Sequence, residues 1–137
     1  MTFLVDSDVL SEPTKAIPHL RVVEWLSKNE HEMVVTPIVI GELEYGILLL
    51  DNGRRRKRLE NWFTEAVKRI QVIDFDTKAA AEWARLLVRL KRNGAAMPIK
   101  DSLIAASALA ANLIVATRNT THYVNSGVKL VNPFSVD

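Results

Sequence analysis

A chain of 137 residues, 48% hydrophobic and 25% charged, has the length and balance of one globular domain spanning residues 1–137. No apolar run nears the roughly 18 residues of a membrane span, no basic lead-in or small-residue cleavage site marks a signal peptide, and the lack of cysteine excludes disulfides and thiolate metal sites, as expected of a cytoplasmic protein. The formal net charge of +2 is too small to argue for nucleic acid, yet residues 54–58 (RRRKR) alone carry five positive charges, so the remainder is net acidic.

Phe3-Leu4-Val5 reads as a short buried strand whose exit is marked by Asp6, Ser7 and Asp8. Ligands of open α/β sheets bind outside the carboxyl ends of the strands, which puts Asp6 at a favoured place for chemistry, with Asp8 two residues on. Ser11-Glu12-Pro13 breaks the pattern, and from Pro18 to Asn29 the residues Leu20, Val23 and Leu26, widened by Val22 and Trp25, have helical spacing. Met33-Val34-Val35 is a second strand. Thr36-Pro37 then supplies an N-cap and a proline at the first helical position, which predicts a helix over 38–50. That helix is apolar on nearly every side and so expected to be buried, with Glu42 and Glu44 as its interior charges.

Asp51-Asn52-Gly53 is a turn, and Leu59, Trp62, Phe63, Ala66, Val67 and Ile70 form the apolar stripe of the next helix, its basic residues lying opposite. Val72-Ile73 is a third short strand. Asp76-Thr77 caps a helix carrying Ala80, Trp83, Leu87 and Leu90 and ending at Asn93-Gly94. After a loop over 95–100, Asp101 opens a helix rich in small residues that can pack closely on a sheet. Residues 113–117 are the next strand, 118–127 a polar loop, and 128–131 a last strand stopped by Asn132-Pro133. Strands alternating with helices predict an α/β fold, a central mainly parallel sheet flanked by helices.

Polar residues interrupt this scheme at Asp6, Glu42, Glu44, Asp101 and Asn119, each at or near the sheet's carboxyl edge or on a helix packed against it. Buried unpaired carboxylates are costly, so several meeting in one place need a cation. Oxygen ligands, no cysteine and only three scattered histidines point to Mg²⁺, with Mn²⁺ as a substitute. Such an ion polarises phosphoryl oxygens and lowers the pKa of bound water. Lys100, Arg118 and residues 54–58 are candidates for a positive rim around a polyanion. Each residue also has a plainer role available: Asp101 as an N-cap, Asp6 and Asp8 as turn residues, Asn119 and His122 as ordinary loop residues, the basic run as a solvated face. Spacing does not choose between Glu42 and Glu44.

The segments FLVDSDVLSE, PIVIGELEYGI, KDSLIAASALA, LIVATRN and LVNPF, in this order and spacing, resemble the PIN-domain nucleases, above all the VapC toxins, FitB-like members included, of bacterial toxin–antitoxin pairs. The resemblance spans essentially the whole chain. It implies a PIN-like fold and a Mg²⁺-dependent endoribonuclease acting on RNA, tRNA among the candidates, usually homodimeric and silenced by a cognate antitoxin. By motif matching, Asp6 is the first acid, Glu42 the second and Asp101 the third, with Asp6 and Asp101 on the metal. Asn119 would position the attacking water, and Lys100, Arg118 and His122 would contact substrate. The chain departs from the family twice. Asp8 stands where asparagine is common, and His122 stands where members with TRN often place a fourth acid. Two alternatives compete: a haloacid-dehalogenase-like phosphatase using Asp6 as nucleophile and Asp8 as acid, and a PIN-like binding module without turnover.

Overall fold

Five short strands pair in parallel throughout the computed structural model, which describes residues 1–135. They are β1 (Phe3–Val5), β2 (Met33–Val35), β3 (Gln71–Val72), β4 (Ile114–Ala116) and β5 (Lys129–Val131), in the order β3-β2-β1-β4-β5. The connecting helices are α1 (Ser7–Leu10), α2 (Leu20–Asn29), α3 (Pro37–Leu48), α4 (Arg54–Trp62), α5 (Thr77–Arg92), α6 (Ile99–Ala111) and α7 (Thr120–Tyr123). Strand β1 is central, and Leu4 and Val5 are wholly buried, as expected of a parallel strand covered on both faces. The predicted α/β class and mainly parallel sheet are observed, and every paired strand is parallel.

Local chemistry sets the helix starts. The Thr36 hydroxyl accepts the Val39 amide ahead of Pro37, and Asp76 accepts the Ala79 amide, so both predicted caps form. Buried Ile104, Ala105, Ala106 and Ala108 bring α6 close to its neighbours. Asn112, at φ 54°, ends that helix in the left-handed conformation that asparagine tolerates.

Several expectations need correction. The α3 helix is not buried all round: Val39, Leu43 and Ile47 face the core, but Tyr45, Leu48 and Leu49 are 66%, 58% and 67% exposed. An apolar sequence alone does not reveal which side lacks a covering layer. The α5 core face runs through Ala79, Leu86 and Leu90, leaving Ala80 exposed, because its sequence offers two overlapping stripes and packing on α6 selects the one through Ala79. Helix α2 begins at Leu20, which is exposed, and Val22 carries its buried contact. Strand β3 lies one residue earlier than expected and is an exposed edge. Ala66 is exposed where a buried stripe residue was expected. The polar loop over 118–127 contains α7, whose Tyr123 is completely buried.

Candidate functional site

Strands β1 and β4 pair Val5 with Ala116, so the next residues, Asp6 and Thr117, leave the sheet side by side. The Asp6 amide extends the ladder to the Ala116 carbonyl at 2.9 Å. Its carboxylate, only 5% exposed, accepts the Ser7 amide on Oδ1 at 2.9 Å and the Thr117 hydroxyl on Oδ2 at 2.8 Å. Asp6 is thus both the cap of α1 and the innermost acid of the edge. The Tyr123 hydroxyl also reaches its Oδ2, at 3.4 Å.

Asp101 does not cap α6. Pro98 occupies that place and Asp101 projects from the first turn. Its Oδ1 lies 3.4 Å from the same Tyr123 hydroxyl and its Oδ2 lies 2.9 Å from His122 Nδ1. The turn is held in place from α5: Trp83 Nε1 donates to Ser102 Oγ at 3.0 Å, and that hydroxyl donates to the Ile99 carbonyl at 2.6 Å. Two acids far apart in the chain thereby meet across one tyrosine.

Glu42 joins them from α3, while Glu44 is exposed. Lys100 Nζ lies 3.3 Å from Glu42 Oε2, and among the described residues Glu42 Oε1 is buried with no hydrogen-bond partner. Asp8 also turns inward, accepting the Arg118 amide on Oδ2 at 3.0 Å, with its buried Oδ1 left without a partner. The Arg118 guanidinium stacks on the Phe134 ring with 4.5 Å to its centroid. Asn119 is exposed, its amide N–H donating to Thr117 Oγ1 at 3.1 Å, and its side chain does not cap α7.

The electrostatics agree with this crowding. Burial raises the Asp6 pKa, and the Asp101 charge adds to it against the lowering bonds from Thr117 and Ser7. Burial also raises Glu42, helped by the charges of Asp6 and Asp101 and opposed by Lys100. Asp8 is pushed up to about 6 by burial and by Asp6. The Tyr123 phenol is raised by burial and then by Asp6, Asp101 and Glu42, so it stays protonated. Asp6, Asp8, Glu42, Asp101 and Tyr123 thus share one field.

A hard divalent cation suits this donor set. It would neutralise mutually repelling carboxylates, and water brought in with it would give the orphaned Glu42 Oε1 a partner. As the side chains stand, no three His, Asp or Glu among the described residues enclose a single point, since Lys100 and the α7 donors hold Glu42 and Asp101. A groove of about 240 Å³ runs from Asp8 and Glu42 past Thr14 and Gly46 to Leu59 and Trp62. Arg58 Nη1 reaches the Thr14 carbonyl at 3.4 Å, which ties the basic start of α4 to its rim.

Sequence reasoning missed Tyr123, Thr117 and Trp83. One signal for the first was present: Tyr123 is the only Phe, Trp or Tyr between Trp83 and Phe134, set in an otherwise polar stretch.

A family model described as PIN domain matches residues 3–126. Toxin FitB of Neisseria gonorrhoeae is 32% identical over 135 residues, covering 96% of this chain and 97% of that protein. VapC ribonuclease Y4jK of Sinorhizobium fredii is 32% identical over 136 residues, covering 96% of each. Among solved structures, the crystal structure of FitAcB from Neisseria gonorrhoeae superposes with a TM-score of 0.92 at 30% identity over 98% of this chain and 100% of that one.

Proposed function

Because this chain belongs to the PIN-domain family, we propose that it is an endoribonuclease dependent on Mg²⁺, or on Mn²⁺ in its place, and the toxin of a toxin–antitoxin pair. Support comes from relatives of the same length named as a toxin and as a ribonuclease. The single observation that carries the chemistry is the meeting of buried Asp6 with Asp101 across Tyr123, beside a Glu42 whose pKa both acids help to raise.

Asp6 and Asp101 are the residues assigned to hold the ion, with Glu42 beside them on Lys100. When bound, the ion supplies charge neutralisation at the phosphoryl oxygens and acidifies a coordinated water. Glu42 Oε1, unpartnered and with its pKa raised, accepts the proton of the attacking water. Asn119 orients that water through its exposed amide. Lys100 and His122, both at the rim, contact the scissile phosphate, while Arg118, stacked on Phe134, holds a flanking one. The basic residues 54–58 continue the positive rim along the groove. An antitoxin would silence the enzyme by covering that groove and placing a basic group where Lys100 now meets Glu42.

A homodimer through the uncovered α3 side is part of the same proposal, as is action in the cytoplasm. No helix among the described residues is long and apolar enough to cross a membrane. The phosphatase alternative needs Asp6 as an exposed nucleophile, but it is 5% exposed and both its oxygens accept hydrogen bonds.

The decisive test is cleavage of tRNA and total RNA by purified protein stripped of any partner, in Mg²⁺ or Mn²⁺ against EDTA. Asp101→Ala should lose activity by at least about 100-fold while melting cooperatively. If neither cleavage nor metal binding is found in the wild type, the chain is a binding module and the nuclease assignment is wrong.

A further inference from the structure

We propose that Tyr123 is a positioning residue of the metal site, its hydroxyl setting the separation of Asp6 and Asp101, an inference that rests on those two acids holding the ion. Thr117 holds Asp6 and His122 holds Asp101, but the Tyr123 hydroxyl is bonded to both, at 3.4 Å from Asp6 Oδ2 and 3.4 Å from Asp101 Oδ1. A phenol has one proton to give. It cannot satisfy both acids fully, so two long bonds share it, and the oxygen acts as a spacer between two like charges.

The spacer is itself fixed. Tyr123 is 0% exposed, and its ring lies in the core with Leu4, Val5 and Ile104. Its backbone carbonyl accepts the Ser126 hydroxyl at 2.6 Å, and the Ser126 carbonyl accepts Arg89 Nη2 at 3.0 Å, which anchors the end of α7 to α5. His122, on the same short helix, takes the other oxygen of Asp101. Asp101 therefore meets a donor from α7 on each oxygen, and Asp6 is referred to it through one of them. Asp6 Oδ2 takes both Thr117 and Tyr123, but Oδ1 takes only the Ser7 amide and each Asp101 oxygen takes one donor, so a lone pair on each acid stays open to a cation. Without the hydroxyl, the two acids would face each other across an apolar ring edge, each held only by its own partners and stripped of the bond that relates one to the other.

Tyr123→Phe keeps the ring and removes only the spacer. In the full-length protein freed of metal and partner, Mg²⁺ and Mn²⁺ binding measured by calorimetry should weaken about tenfold or more, the loss expected for a hydrogen bond to a charged group. Its melting temperature should stay within a few degrees of the wild type. A second readout does not need the variant. The chain has two tyrosines, so tyrosine labelled with ¹³C at Cζ gives two signals, from Tyr123 and from Tyr45, which is 66% exposed. Mg²⁺ should move the Tyr123 signal and leave that of Tyr45 in place, as it must if the ion enters beside the Tyr123 hydroxyl. Unchanged metal affinity in Tyr123→Phe, or a Tyr123 signal indifferent to Mg²⁺, overturns the assignment while leaving the nuclease standing. Should Tyr123→Phe fail to fold, the wild-type signal alone decides. A wild type that binds neither ion removes the nuclease proposal together with this one.

Discussion

Asp8 presses one carboxylate oxygen against the Arg118 amide and buries the other without a partner, and the charge of Asp6 adds to the cost. In the folded protein it keeps its proton up to about pH 6, against an ordinary 3.8. The folded state therefore binds more protons than the unfolded one between those values. The stability that Asp8 contributes is complete below pH 3.8, is lost as pH rises through 6, and does not change further above it. Asp8→Asn keeps an acceptor for the amide and removes the charge. In EDTA at pH 7.5 it should melt a few degrees higher than the wild type, worth about 1–2 kcal/mol after discounting for partial exposure. The gap should close below about pH 4, and a gap that persists there would mean that charge is not the cause. The same scale shows what can be read from residues. Asp6, Glu42 and Asp101 were legible because their types and order form a motif. Asp8 was noted beside Asp6, but its unpartnered oxygen was not legible, and neither was Tyr123, because both follow from what burial leaves unsatisfied.

Helix α6 starts two residues before Asp101, and the acid's aim depends on its first turn. The bond from Trp83 Nε1 to Ser102 Oγ holds that turn from α5. Trp83→Phe removes the donor and should lower stability by about 1 kcal/mol in thermal melts. It should also reduce RNA cleavage severalfold, since a small shift of Asp101 would misplace a proposed ligand; unchanged cleavage would show that the turn holds itself. On α3, Tyr45, Leu48 and Leu49 form an i, i+3, i+4 apolar ridge open to solvent. If the proposed homodimer forms through this ridge, Leu48→Glu should shift the sedimentation coefficient toward that of a 15.4 kDa monomer without lowering the melting temperature of the protomer. If the variant sediments as the wild type does, the ridge is not the dimer surface. Sequence periodicity located these helices but not their orientation. In α3 every side is apolar, and in α5 two stripes overlap, so only the packed neighbours decide.

The whole molecule separates its charge. Acids gather at the carboxyl end of the sheet, and the run at residues 54–58 lies on α4, joined to the groove rim by Arg58. Replacing Arg54, Arg55 and Lys57 by Gln should weaken RNA binding and make it less sensitive to salt. The slope of log K against log salt should fall by about 2 for three lost phosphate contacts on a single strand. An unchanged slope would return the run to the role of a solvated face. At this scale the sheet order was only half legible: alternation predicts parallel pairing, but nothing local says that β1 lies between β2 and β4.

That central position also sets when the candidate site comes into being. Residues 3–5 of β1 pair with 114–116, and the site needs Thr117, His122 and Tyr123 beyond them. Contacts this distant along the chain form late and raise the contact order. During synthesis, Asp6 leaves the ribosome early yet waits without its partners until α7 has been made. On the proposed function, the chain would gain any activity toward RNA only once its last third has been made.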